Sequence, residues 1–168
     1  MTNPTIYTEK QRFKQWWLWL ILLITNVYGL YTAYFQFIKS KNTIDKQLNI
    51  NNVLIETIII LAINLLFYYI KLETRIDSKS ISVRFFPFQL KERVYNWEEI
   101  KSANIRTYKP LLEYGGWGIR GFGNNRALNI SGNKGLQLEF KNGKKLLIGT
   151  VKAPEVESIL EELDKNIA

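Results

Sequence analysis

The sequence predicts a protein in two parts. The first is a membrane-spanning α-helical hairpin, and the second is an all-β domain of about seven antiparallel strands in a barrel or sandwich, capped by one C-terminal helix. Two apolar stretches, residues 16–37 and 53–72, are each long enough to cross a bilayer as a helix. Residues 73–168 instead alternate apolar and polar side chains in short segments between turn residues, a pattern typical of half-buried strands.

The first apolar stretch has aromatic residues toward both ends, as expected where a spanning helix meets the two water interfaces. These are Trp16, Trp17 and Trp19 at one end, and Tyr31, Tyr34 and Phe35 toward the other. The basic residues before the stretch also resemble the start of a signal peptide. However, the apolar run is longer than in such peptides and no small-residue cleavage site follows it. We therefore expect an uncleaved helix.

Residues 53–72 contain no glycine or proline and predict a second spanning helix, and the polar segment 39–52 reverses the chain between the two. Six basic residues flank the hairpin on the side of its termini: Lys10, Arg12, Lys14, Lys71, Arg75 and Lys79. The connecting segment carries three: Lys39, Lys41 and Lys46. The positive-inside tendency therefore predicts that residues 1–15 and the β domain are cytoplasmic, at the inner membrane of the cell.

Three polar side chains fall within the predicted spans. Asn26 and Asn64 lie at similar depths, so we expect a hydrogen-bonded contact across the helix hairpin. Glu56 lies one turn from the outer boundary, where its carboxylate reaches water. The alternative is a polar relay or a partner-docking site within the membrane.

Seven alternating segments predict the strands of the β domain. They cover residues 72–77, 81–85, 93–108 (with an interruption near Glu98 and Glu99), 116–122, 126–131, 136–141 and 145–151. Asn142-Gly143 is a strong hairpin signal between the last two. Pro154 then suits the first turn of a helix, in which Val156, Leu160 and Leu163 share one apolar face.

Composition excludes several kinds of chemistry. The 168-residue chain has a net charge of +8 and contains neither cysteine nor histidine. Disulfides, thiolate nucleophiles, imidazole catalysis and Cys/His zinc sites are therefore excluded. We expect no catalytic residues, cofactor, metal, nucleic acid or small-molecule substrate. The expected partners are membrane lipids and a protein whose identity the sequence does not give.

Three segments of the β domain carry a resemblance to a known family: residues 114–120 (YGGWGIR), 129–136 (NISGNKGL) and 143–150 (GKKLLIGT). With these segments the chain resembles small bacterial two-helix membrane proteins that have a pleckstrin-homology-like domain. The resemblance implies a seven-stranded domain with a C-terminal helix, placed after two membrane helices. It implies no catalytic residues.

The glycine-rich segment admits two interpretations. Gly116, Gly118 and Gly121 match the spacing of a dinucleotide fingerprint, but the predicted strand context lacks the required βαβ unit. In the first interpretation, the glycines let the backbone bend around a Trp117 side chain that is packed against the domain. Alternatively, Trp117 and Arg120 are exposed anchors for a membrane or a partner, and with Tyr114 they form a candidate binding surface.

Lys79 and Arg84 complete the candidate binding surface. They flank the first β turn, where lipid-binding pleckstrin-homology domains hold inositol phosphates with a basic cluster. Ser82 stands where that pattern has a second cation, so the resemblance implies weak attraction to anionic lipid rather than tight binding. The alternative is an ordinary solvated strand face.

These observations lead to one expected function and one alternative. The chain is expected to be a membrane-anchored binding or scaffolding module at the cytoplasmic face. The alternative is a sensor of anionic lipid headgroups that uses the basic residues near the first β turn.

Overall fold

The computed structural model describes residues 5–39 and 43–163, so Lys41 of the predicted loop lies outside the described residues. The chain divides into two compact units. The helical unit is Lys14–Tyr69, and the β unit is Met1–Phe13 together with Ile70–Ala168. The described part of the β unit contains nine strands and two α-helices.

The helical unit consists of α1 (Trp16–Lys39) and α2 (Thr43–Tyr69), which pack against each other. Within them, Trp16–Gln36 and Ile50–Tyr69 are long and apolar enough to cross a bilayer, as predicted. Most of their large apolar side chains are exposed, unlike those of a core helix in a soluble domain. The helices approach closely at Gly29, where an added Cβ would lie 2.5 Å from Cδ1 of Ile60.

The ends of α2 differ from the predicted 53–72 span. The helix begins at Thr43, within the segment expected to be a loop, because no glycine or proline interrupts that polar sequence. It ends at Tyr69, and Leu72 is a fully buried strand residue. The apolar run continues from helix into strand, so hydropathy alone does not mark the boundary.

The first sheet is antiparallel, in the order β1-β2-β3-β4. Its strands are β1 (Thr5–Arg12), β2 (Lys71–Asp77), β3 (Ser80–Phe86) and β4 (Arg93–Asn96). The sequence analysis assigned no strand to residues 1–15. Arg12 of β1 pairs with Lys71 of β2, so the helical unit is inserted between two neighbouring strands.

The second sheet has the order β5-β8-β9-β7-β6. Its strands are β5 (Ile100–Thr107), β6 (Gly118–Phe122), β7 (Asn125–Asn129), β8 (Lys134–Phe140) and β9 (Lys145–Gly149). Sequence analysis expected antiparallel pairing throughout, but β7 and β9 are parallel. A 3₁₀ turn, Trp97–Glu99, divides the predicted third strand into β4 and β5. This division and β1 raise the count from about seven to nine in the described residues, which form two sheets rather than a closed barrel.

The second sheet is buried on both faces. Ala127 and Leu147 pack with Tyr108 and Tyr114 on one face. The alternate residues, which point to the opposite face, are also buried and include Leu128, Leu136, Leu138, Leu146 and Ile148. The short helix α3 (Pro110–Tyr114) supplies Tyr114, and α4 (Ala153–Glu162) packs against β1, β5 and β8. All of these core residues belong to the β unit.

Candidate functional site

The two basic residues predicted near the first β turn are placed differently. Lys79 is exposed in the β2–β3 turn, where Asp77 Oδ1 accepts its backbone N–H at 2.8 Å. Arg84 lies farther along β3, and its Nε donates to Glu73 Oε2 at 2.8 Å. The guanidinium is therefore engaged within the sheet, and the two cations do not form a free pair at the turn.

Glu73 is the centre of an ion cluster across the first three strands. It is buried, and its carboxylate lies 3.0 Å from Lys71 Nζ and 3.7 Å from Lys10 Nζ, besides its bonds to Arg84. Burial by itself raises the pKa of Glu73, but hydrogen bonds from Arg84 and Lys71 outweigh it, and the pKa is lowered. The position of Arg84 is therefore explained by its ion pair with the buried Glu73 carboxylate.

Lys79 borders an open depression of about 520 Å³. Its lining residues are Ser78, Lys79, Asn96, Trp97 and Glu98. The single cation there is offset by the Glu98 carboxylate, so the depression presents little net positive charge to an anion.

Tyr114 lies in the core rather than on a surface. Only 8% of it is exposed, and its ring meets that of Tyr108 edge-on at 6.0 Å. The Tyr114 hydroxyl accepts a hydrogen bond from Arg106 at 3.1 Å and donates to Asn125 Oδ1 at 3.3 Å. A buried tyrosine with a satisfied hydroxyl is a packing residue.

Trp117 lies in the turn just before β6 and Arg120 lies within β6, and each side chain forms a hydrogen bond to a backbone carbonyl. Trp117 is half-buried, and its indole N–H donates to the Gly132 carbonyl at 3.1 Å. Arg120 is exposed, and its Nε donates to the Trp117 carbonyl at 2.8 Å. Gly115, at φ 70°, ends α3 in the left-handed region, where its lack of a side chain is needed. The indole of Trp117 is therefore partly packed, whereas the guanidinium of Arg120 lies at the surface.

The three polar residues predicted to fall within the spans, Asn26, Asn64 and Glu56, have hydrogen-bond partners. Asn26 and Asn64 exchange two side-chain hydrogen bonds, each of 3.3 Å. Glu56 accepts a hydrogen bond from the Thr32 hydroxyl at 3.2 Å. These bonds satisfy polar atoms that lipid would leave without partners.

The sequence analysis missed Glu9, a buried carboxylate that connects the two sheets. It accepts hydrogen bonds from the hydroxyls of Tyr7 (2.8 Å) and Thr150 (2.7 Å), and from the Val151 N–H (2.9 Å). Burial, followed by the hydrogen bond to Glu9, raises the pKa of Tyr7. No local pattern marks Glu9, because its partners follow β9, about 140 residues later.

The sequence analysis also missed a groove bounded by both sheets. It consists of two adjoining cavities of about 190 and 240 Å³ that share Arg93, Tyr95, Arg126 and Leu146. We call it the inter-sheet groove. The remaining lining residues are Phe88, Gln89, Ile119, Gly123, Leu128, Phe140, Lys144 and Lys145. They come from separate segments of the chain, so only strand pairing brings them together.

Among residues 5–39 and 43–163, no group of three or more acidic, histidine or cysteine side chains is arranged to hold a metal ion. Comparison with protein-family models, curated proteins and solved structures finds no match to this chain.

Proposed function

We propose that this chain is a membrane-anchored binding module whose β unit, with a pleckstrin-homology-like fold, acts at the cytoplasmic face of the cell membrane. One observation carries the proposal: two helices of bilayer length are inserted between β1 and β2, neighbouring strands of one sheet. Residues 13–15 and residue 70 are the whole of the two connections. Connections this short keep the β unit near the bilayer, which raises its effective concentration for membrane-associated partners.

Several features of the helical unit favour a lipid environment. Most of its large apolar side chains are exposed, whereas the side chains of Asn26 and Asn64 are paired with each other. Trp16, Trp17 and Trp19 are exposed at the start of α1, and Tyr31 and Tyr34 toward its end, as in an aromatic belt. A soluble protein would leave this large apolar surface in water at considerable cost.

The pleckstrin-homology-like assignment is supported by two sheets followed by a C-terminal helix. The parallel β7–β9 pair is a departure from an all-antiparallel plan.

The cytoplasmic orientation is supported by the basic residues at the hairpin base. A membrane-impermeant maleimide tests it, because the chain contains no cysteine. A cysteine at position 46 should react from outside intact cells, and one at position 134 only after permeabilisation; the opposite pattern contradicts the orientation.

The lipid-sensor alternative ranks below tethering for a structural reason. It depends on Lys79 and Arg84, but Arg84 is bonded to Glu73, and Lys79 lines the same depression as Glu98. An anionic headgroup would have to displace Glu73 from Arg84. No described feature near the turn compensates for that exchange.

A replacement of the helical unit tests tethering. Because Arg12 and Lys71 are opposite each other, an Asn-Gly turn in place of Lys14–Tyr69 makes Phe13 and Ile70 the next opposed pair. We call this chain the soluble β unit. At native expression levels it should lose photocrosslinking to its membrane partner from a benzoylphenylalanine at position 122, where Phe122 is 94% exposed.

The matched control is the soluble β unit fused to an unrelated single-span anchor, which should recover the crosslink. Equal crosslinking by the untethered and full-length chains at native levels would contradict the proposed function. The crosslink must also be absent without ultraviolet light.

A further inference from the structure

We propose that the inter-sheet groove binds an acidic segment of a partner protein in an extended conformation. This inference rests on the proposed binding function and names the chemistry of the partner. Three properties of the groove support it: its charge, its apolar floor and the open strand beside it.

The groove is strongly basic. Arg93, Arg126, Lys144 and Lys145 line it, and no aspartate or glutamate is among its lining residues. Lys145 is paired with Glu139. The side chains of the other three form no hydrogen bond or ion pair with any residue in the described part of the chain. Three cations without partners are complementary to carboxylates that a ligand would bring.

Buried apolar side chains form the floor of the groove, whereas the cations are exposed. Leu128 and Leu146 are buried beneath the groove, and Ile119 is partly exposed at its side. Tyr95 packs on Phe140 with ring centroids 5.2 Å apart. A ligand carrying only charge would leave this surface uncovered. A segment with alternating acidic and apolar residues matches both surfaces, since alternate side chains of an extended chain point to opposite sides.

β4 supplies an open backbone edge. It is the last strand of the first sheet and pairs with β3 alone among the described strands. An exposed edge accepts an extended peptide through main-chain hydrogen bonds. The four residues of β4 span about 13 Å, so an added strand would make main-chain bonds over about four residues.

The distribution of charge favours a peptide over a lipid headgroup. The unpartnered cations come from three separate elements, β4, β7 and the β8–β9 turn, and apolar residues line the same groove. A headgroup phosphate is compact and carries no apolar side chain to cover that floor. An extended acidic segment with alternate apolar residues offers both carboxylates and apolar surface.

Peptide binding by the full-length chain in phosphatidylcholine nanodiscs tests the proposal. The probe is a fluorescein-labelled peptide of about eight residues in which glutamate and valine alternate, long enough to exceed β4 at both ends. Fluorescence anisotropy should report saturable binding. A lysine–valine peptide of equal length should not bind, and a glutamate–proline version should bind more weakly because proline lacks the backbone donor.

Charge reversal within the groove should weaken binding of the glutamate–valine peptide. We expect Arg93→Glu with Arg126→Glu to weaken it by about tenfold or more, because two attractive contacts become repulsive. The neutral pair Arg93→Gln with Arg126→Gln should give a smaller loss, and it guards against misfolding of the reversed variant. Lys134→Glu, an equal charge change at an exposed residue outside the groove, should bind like the wild type.

Three results would overturn the inference. The first is unchanged peptide binding by the charge-reversed variant, and the second is equal binding of the lysine–valine peptide. The third is displacement of the labelled peptide by glycerophosphoserine, a soluble lipid headgroup, at the same concentration as unlabelled peptide. That result would assign the groove to lipid. If the peptide fails to bind while tether-dependent crosslinking persists, only this inference fails and the proposed function stands.

Discussion

Glu9 lies in β1 and bonds to the segment before α4, and only 4% of it is exposed. Three donors, from Tyr7, Thr150 and Val151, satisfy its carboxylate. Next along the same face, Gln11 donates to the Gly149 carbonyl at 2.6 Å. Hydrogen bonds from inward polar residues thus join the two sheets where apolar contacts would be expected.

Replacing Glu9 by leucine tests this joint. Leucine is of similar size but accepts no hydrogen bond, so the donors of Tyr7, Thr150 and Val151 lose their buried acceptor. We expect the free energy of unfolding to fall by about 1–3 kcal/mol, the usual cost of an unsatisfied buried group. Urea unfolding of the soluble β unit measures it, and Glu157→Gln on the exposed face of α4 is the control. Equal stability of the two variants would show that the three bonds contribute nothing.

Glu73 predicts a pH dependence. Its pKa in the folded chain lies below the ordinary value of 4.5, so the folded state binds a proton less readily than the unfolded state. The stabilisation is therefore fully present above the unfolded pKa and is lost as the pH falls through the folded pKa.

Glu73→Gln should lower stability at neutral pH and flatten the loss of stability as the pH falls below the ordinary pKa of 4.5. Urea unfolding at several pH values measures that slope. Glu157→Gln should keep the wild-type slope, and an unchanged slope in the Glu73 variant would refute the cluster's role.

At the scale of elements, the two helices meet through small and polar groups. Gly29 admits the side chain of Ile60, and one turn earlier Asn26 reaches Asn64. Apolar surface alone gives helices in lipid little reason to associate, so close packing and hydrogen bonds determine the contact.

The asparagine pair should therefore show a coupling energy. In a double-mutant cycle of Asn26→Leu and Asn64→Leu, we expect a coupling of about 1 kcal/mol in detergent-denaturation measurements on the full chain. Leu30→Ala, at an exposed position of α1, paired with Asn64→Leu is the control and should show additive effects. Additivity in the asparagine cycle itself would contradict the contact.

Elements also differ in how well their sequences predict them. β2, β3 and β8 alternate apolar with polar residues, and each was predicted from that pattern. β1 was not predicted, because its buried face is Tyr7, Glu9 and Gln11. A strand whose inward residues are mostly polar has no apolar period. Its pairing with β2 makes it a strand, and that partner lies on the far side of the helical unit.

At the scale of the whole molecule, the helical unit occupies a hairpin position. β1 and β2 pair from Thr5 with Asp77 to Arg12 with Lys71, as strands joined by a tight turn would. The core residues of the sheets belong to Met1–Phe13 and Ile70–Ala168, so the β unit holds its own core.

The soluble β unit, with Asn-Gly in place of Lys14–Tyr69, should therefore fold without detergent. We expect a monomeric, cooperatively unfolding chain with dispersed amide resonances, since the turn preserves the register of β1 and β2. A version with Ile81→Asp, which buries a charge in the core, is the unfolded control. Loss of dispersion in the Asn-Gly chain itself would show that the strands depend on the helices.

The sequence by itself determined the features that arise from local periodicity. These are two apolar helices of bilayer length, most strands of the β unit and the C-terminal helix, because neighbouring residues set hydropathy, alternation and helical spacing. The tertiary structure alone decided the strand role of β1, the parallel β7–β9 pair, the engagement of Arg84 by Glu73 and the burial of Tyr114. It also assembled the inter-sheet groove from distant segments. The reason is physical: the partner of a buried polar group or an edge strand is chosen by contacts far along the chain, and no local pattern encodes that choice.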